Sequence, residues 1–181
     1  NPWNTGRITG GSSGGSGAAV AAGQCMASLG SDTGGSVRIP AGACGIVGLK
    51  PTYGLVSRHG VFPLSHSLDT VGPMTRTVRD TAIILNAIAG HDSRDLSSAD
   101  RPRQDYTAGL DNGVRGLRIG VPQEYFYDSI DDEITDAIKA VAGILQGLGA
   151  IVEDVSIPVL DQSIPISGAI LITEAAEVHM D

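Results

Sequence analysis

Cysteine is scarce. Cys25 and Cys44 are the two in 181 residues, too few and too far apart for a disulfide framework or a zinc site. Both sit among small, apolar neighbours, which predicts two buried thiols in a reducing compartment rather than a redox couple. Basic charge is also thin: 12 Lys and Arg stand against 20 Asp and Glu, a formal net charge of -8. A nucleic-acid surface normally needs a basic patch, and the densest basic stretch, Arg101 with Arg103, reads as a solvated loop. No run reaches the roughly 18 apolar residues that a membrane-spanning helix needs, and no signal peptide is recognisable. What remains is the composition of a soluble, cytoplasmic globular protein, 41% hydrophobic and 18% charged, with disorder at most local. The chain opens without Met in the loop-like NPWNTGR and stops at EAAEVHMD within a helical pattern. The expectation is a central fragment of a larger domain.

Glycine, by contrast, is plentiful, and much of it falls in two Gly/Ser clusters, TGGSSGGSGAAVAAG (Thr9 to Gly23) and GSDTGGSVRIPAG. A flexible tether is one reading of such runs, but both abut apolar segments instead of separating complete domains. A phosphate loop would need Gly-x-x-x-x-Gly-Lys-Ser/Thr, and no lysine closes either cluster. A dinucleotide fingerprint fails as well, because no Gly-x-Gly-x-x-Gly sits at a strand-to-helix turn. Nucleophilic serine is the reading that survives.

The surrounding pattern is that of an α/β layered fold. Ala18 to Met26 reads as a small-residue helix, and ASLGSD as a short buried strand. Pro40 and Pro51 bracket a short helix and a loop, and Tyr53 to Met74 reads as irregular, with turn signals at Gly54, Gly60 and Gly72-Pro73. Thr75 to Ala89 is helical with Thr77 as N-cap and Gly90 as stop. Residues 91–116 are a polar surface connection. LRIGVP, a helix from Asp131 to Leu148, and AIVEDVSIP then form a βαβ-like unit, with a last helix starting near Ser167. Residues 1–90 are thus the core segment and residues 117–181 a strand-helix-strand-helix continuation within one domain.

Two serines compete as nucleophile. Gly11-Ser12-Ser13-Gly14-Gly15 formally matches the Gly-x-Ser-x-Gly elbow, with Ser13 at its centre, yet no apolar strand precedes it. Ser36 follows a true strand and ends SDTGGS. A serine hydroxyl needs a base to take its proton, and His59, His66, His91 and His179 all lie in Gly/Pro-rich or polar stretches that suit solvent-facing roles better. The backbone at Thr33, Gly34, Gly35 and Ser36 is better furnished. Its glycines permit a turn that aims successive N–H groups at one point, and such a donor to an oxyanion is usually worth about 3 kcal/mol. Asp32 and Arg38 flank this turn and are placed to form an ion pair.

These segments resemble the amidase signature family. GGSSGGSGAAVAAG, then LGSDTGGSVRIPAGACGIVGLKPTYGLVSRHG and SLDTVGPMTRTVRD, carry the likeness continuously over residues 1–90, and it weakens through LRIGVPQEYF. The resemblance implies a mixed β-sheet core covered by helices and a Ser–cis-Ser–Lys triad that requires neither metal nor organic cofactor. Ser36 corresponds to the acylated nucleophile. Ser12 corresponds to the bridging serine, joined to Gly11 by a cis peptide bond, with Ser13 beside it. Thr33, Gly34, Gly35 and Ser36 match the oxyanion hole, and Asp32 with Arg38 the supporting pair. The family's lysine lies upstream of the first cluster. Neither Lys50 nor Lys139 matches it, so these residues alone are expected to be inactive.

The implied reaction is hydrolysis of a small-molecule carboxamide, with no direct nucleic-acid or membrane partner. Two versions follow from the resemblance. One is a stand-alone amidase, for which the sequence leaves a homodimer open; the other is the glutamine-hydrolysing subunit of a tRNA-dependent amidotransferase with its partner subunits. PTYGLVSRHG and SLDTVGPMTRTVRD resemble the second, whereas the tail GAILITEAAEVHMD looks more like stand-alone amidases, and the stand-alone enzyme is the expectation. A family member kept as a binding protein is the reading from a different class.

Overall fold

A computed structural model describes residues 1–180. Its chain divides into two units, Asn1–Gly109 together with the end of the chain from Ile170, and Leu110–Ala169. The division at residue 109 falls inside the expected surface connection.

The first unit is built on a three-stranded antiparallel sheet. Strand β1 (Ala27–Asp32) and the two-residue β2 (Val47–Gly48) flank a central β3 (Thr70–Thr75). The β1–β3 register runs from Ala27 opposite Thr75 to Asp32 opposite Thr70. All six residues of β3 are buried. The sequence pattern predicts irregular chain here, because Gly72-Pro73 looks like a turn and proline is rarely found in central strands. The fold accommodates both residues. Pro73 needs only its carbonyl, which accepts from Leu49 N–H at 3.1 Å, and at Gly72 a Cβ would collide with the Leu49 carbonyl.

Helix α1 (Gly14–Ala21) starts four residues earlier than its composition predicts. Glycine is a poor helix former, but Gly14 and Gly17 face inward, and a Cβ on Gly17 would already press within 3.3 Å of Met74 and Pro40. Close packing outweighs propensity. The helix also stops early, and Gly23, at φ +71, turns the chain away. Cys25 consequently lies in the turn beyond, half-buried, and only Cys44 is fully buried; the expected pair of buried thiols is corrected to one.

Helix α2 (Arg38–Cys44) takes Pro40 into its first turn, where no N–H is required, instead of stopping at it. Helix α3 (Val78–Ile88) begins as predicted, with Thr77 accepting from Asp80 N–H at 3.1 Å. Two small cores result. Val37, Ala41 and Met74 fill one, with Ile46 against them; Val56, Val71, Leu85 and Ala89 fill the other.

The second unit contains β4 (Arg118–Pro122) and β5 (Ile151–Val155), paired in parallel and joined through α4 (Asp132–Gly147). This is the βαβ arrangement that the pattern predicts. Asp131 caps α4 by accepting from Glu133 N–H at 2.9 Å. A 3-10 turn (Pro158–Gln162) leads into α5 (Ser163–His179), which starts four residues before the expected Ser167. No described helix is long and apolar enough to cross a membrane.

Candidate active site

Asp32 ends β1 with no solvent exposure, and the second Gly/Ser loop is wound around its side chain. Oδ1 accepts from Gly35 N–H at 2.7 Å and from Arg38 Nη2 at 2.9 Å. Oδ2 accepts from Arg38 Nε at 2.9 Å and from the N–H groups of Val37 and Arg38 at 3.2 and 3.3 Å. One carboxylate therefore caps the start of α2 and grips a guanidinium bidentately. Burial pushes the Asp32 carboxyl upward; the Arg38 and backbone hydrogen bonds outweigh that and hold it below the ordinary carboxylate range. The pair foreseen from sequence is formed, and the turn needs glycine at Gly35, where φ is +126.

This arrangement narrows the expected oxyanion donors. The Gly35 N–H points back at Asp32 and is occupied. Those of Gly34 and Ser36 donate to no atom of the described residues. Ser36 is half-buried at the entrance to α2.

The first cluster lies directly against the second. Ser13 N–H donates to the Ser36 carbonyl at 3.1 Å, and Ser13 Oγ donates to the Ser31 carbonyl at 3.4 Å. Ser13 is thus turned toward β1, where a Cβ on Gly30 would come within 2.5 Å of its Oγ. Ser12 is exposed, and the Gly11–Ser12 peptide is cis. The two loops meet because α1 and β1 fold back on each other between them. No histidine takes part among the described residues: His91 Nδ1 lies 3.2 Å from the Ser98 carbonyl, and His179 stacks on Phe62 at 5.6 Å. Lys50 is half-buried and Lys139 exposed, and neither hydrogen-bonds to a serine of the clusters among the described residues.

Two acidic residues that sequence patterns did not single out complete the surroundings. Asp69, 5% exposed, accepts from Thr33 Oγ1 at 2.5 Å on one oxygen and from Leu64 and Ser65 N–H at 2.7 and 3.0 Å on the other. Glu174 on α5 accepts from Ser65 Oγ, from Ser67 Oγ at 2.6 Å and from Ser67 N–H at 3.0 Å. Those bonds lower its carboxyl to about 2. Both residues look like ordinary surface acids in sequence, since their partners are remote or sit in an irregular loop. No local signal marks Asp69, because β3, the buried strand it precedes, itself reads as irregular chain in the sequence. A cavity of about 270 Å³ opens nearby, lined by Ser31, Asp69, Thr70, Arg58 and His66 among others. Among the described residues no three His, Cys, Asp or Glu side chains gather as a metal site would require.

Known proteins share this arrangement of elements. A glutamyl-tRNA(Gln) amidotransferase subunit from Ligilactobacillus salivarius is 51% identical over 97% of this chain, which spans 36% of that protein. The crystal structure of the like-named protein from Thermotoga maritima superposes with a TM-score of 0.95 at 46% identity, over 98% of this chain and 39% of its own. The peptide amidase of Stenotrophomonas maltophilia gives 0.88 at 40% identity, over 98% and 37%. The chain therefore spans little more than a third of the proteins it matches. The model of the Amidase family covers residues 1–181, and the chain, a mixed α/β piece of that fold, belongs to the Amidase family.

Proposed function

We propose that these residues carry the nucleophilic part of an amide-hydrolysing site, with Ser36 as the nucleophile. Ser36 Oγ attacks the carboxamide carbon while its proton passes through Ser12 to a neutral lysine upstream of these residues. The oxyanion that forms is held by the N–H groups of Thr33, Gly34 and Ser36; Gly35, committed to Asp32, shapes the loop instead. The C–N bond then breaks, Ser12 returns the proton to the departing nitrogen, and water cleaves the Ser36 ester. Asp32 and Arg38 hold the loop in shape. The observation that carries this reading is the junction of the two clusters, Ser13 N–H on the Ser36 carbonyl. That bond sets the cis-linked Ser12 one residue from the contact on its side, and the Ser36 N–H faces no competing acceptor among the described residues.

Within this reaction class, the relatives named as glutamyl-tRNA(Gln) amidotransferase subunits favour glutamine as the amide donor and partner subunits as acceptors of the ammonia. A stand-alone carboxamidase, as the likeness to peptide amidase supports, is the second reading. A fluorophosphonate probe applied to the full-length protein tests the nucleophile. Ser36→Ala is expected to abolish labelling and Ser13→Ala to retain it. Labelling that survives Ser36→Ala and vanishes in Ser13→Ala overturns the assignment in favour of the elbow reading. Ammonia release from glutamine, compared with a panel of other carboxamides, separates the two substrates.

A further inference from the structure

We infer that Asp69 is a positioning residue for the oxyanion loop and acts through the hydroxyl of Thr33. This rests on the reading of Thr33–Ser36 as that loop. The β1–β3 register sets Asp32 opposite Thr70, so Asp32 and Asp69 emerge at the same end of the sheet from neighbouring strands. Between them they hold the loop at two points. Asp32 takes the N–H groups of Gly35, Val37 and Arg38; Asp69 takes the side chain of Thr33 at 2.5 Å.

Thr33 is the only residue of the turn whose side chain offers a donor on the side away from Asp32. Gly34 and Gly35 have no side chain, and Ser36 is reserved for chemistry. Without the Asp69 contact the loop would be anchored only on its far side, by the Gly35 N–H on Asp32, and the direction of the Gly34 N–H would depend on a glycine backbone, the least able to hold it. An oxyanion donor is effective only when it is aimed before the charge develops. Asp69 is itself held from behind. Leu64 and Ser65 N–H groups occupy its second oxygen, and Glu174 clamps the same loop through Ser65 and Ser67. The chain of contacts runs from α5 through the 64–69 loop to Thr33, ending at the residues that face the substrate.

The experiment measures fluorophosphonate inactivation of the full-length protein, separating the maximal rate, kinact, from the half-saturating concentration, KI. Thr33→Val keeps the branched shape and removes the hydroxyl; it is expected to lower kinact about tenfold and leave KI within about twofold. Thr33→Ser is expected to restore the unaltered rate. Asp69→Ala is expected to match Thr33→Val, and the double variant to be no slower than the slower single one, because both remove the same contact. Thr33→Val at the unaltered rate overturns the inference even if Asp69→Ala fails to fold, and so do losses that multiply in the double variant. If the unaltered protein is not labelled at Ser36, the active-site reading itself fails and this inference falls with it.

Discussion

Single carboxylates organise this site more than any hydrophobic residue does. Asp32 accepts five hydrogen bonds from Gly35, Val37 and Arg38, and Glu174 accepts three from Ser65 and Ser67. Both carboxyls are held below their ordinary values, Asp32 against its own burial and Glu174 to about 2. The sign follows from linkage. The unfolded chain binds these protons more readily than the folded one, so the two groups stabilise the fold above the ordinary carboxylate range and lose that contribution as pH falls. For Glu174 the window runs from 4.5 down to about 2. The urea midpoint is therefore expected to drop on going from about pH 6 to about pH 3, with a smaller drop in Glu174→Gln. An identical drop in the variant would show that the Glu174 clamp is not formed in solution. The half-exposed position of Glu174 limits the size of the effect through solvent screening.

Elements follow local rules where they begin at polar caps, and break them where the core intervenes. The start of α3 is a reciprocal cap: Thr77 accepts from Asp80 N–H while its hydroxyl donates to Asp80 Oδ2 at 2.7 Å. Thr77→Ala is expected to cost about 1 kcal/mol, the usual value of a lost N-cap, and to leave Ser36 labelling unchanged. Thermal unfolding measures the first and the probe the second; no change in stability would show the cap to be idle. Helix α3 packs on β3, and its buried Leu85 shares a core with Val71, so its start was readable from Thr77 and the spacing of Ala82, Leu85 and their neighbours. The case of β3 is different. Thr70–Thr75 lacks the alternation of a half-buried strand because it is covered on every side, and its Gly-Pro pair imitates a turn. Nothing within six residues reveals that Leu49 and Leu29 will lie alongside.

Across the whole chain, burial is unevenly shared. The first unit contains both hydrophobic clusters. In Leu110–Ala169, Ala150 is the one buried residue among those described. The apolar stripe of α4 stands exposed, with Ile134, Val141, Ile144 and Leu148 each more than half accessible, and the chain spans little more than a third of the proteins it matches. Hydrogen exchange on the 181-residue chain is expected to protect β1 and β3 most. Amides of α4 are expected to exchange at least about tenfold faster than those of β3, since local opening there exposes little new apolar surface. Equal protection in α4 and β3 would mean that a surface invisible in this structure covers the stripe.

Sequence by itself determined the Asp32–Arg38 pair, the cap of α3 and the βαβ order of the second unit. Each depends on contacts within a few residues or on a period that residues spell out locally: a cap and its first turn, a loop wound on a carboxylate at its own start, an amphipathic repeat between two apolar runs. Tertiary structure alone decided the remainder. It carried α1 into the glycines, because Pro40 and Met74 leave no room for a Cβ at Gly17. It turned Gly72-Pro73 into a central strand, set the two Gly/Ser clusters against each other through Ser13 N–H and the Ser36 carbonyl, and carried Asp69 to Thr33 and Glu174 to Ser65 and Ser67 from distant segments. The physical reason is common to all four. Steric fit and the pairing of buried polar groups depend on which atoms meet, and a chain position does not contain that information until the sheet has set its register.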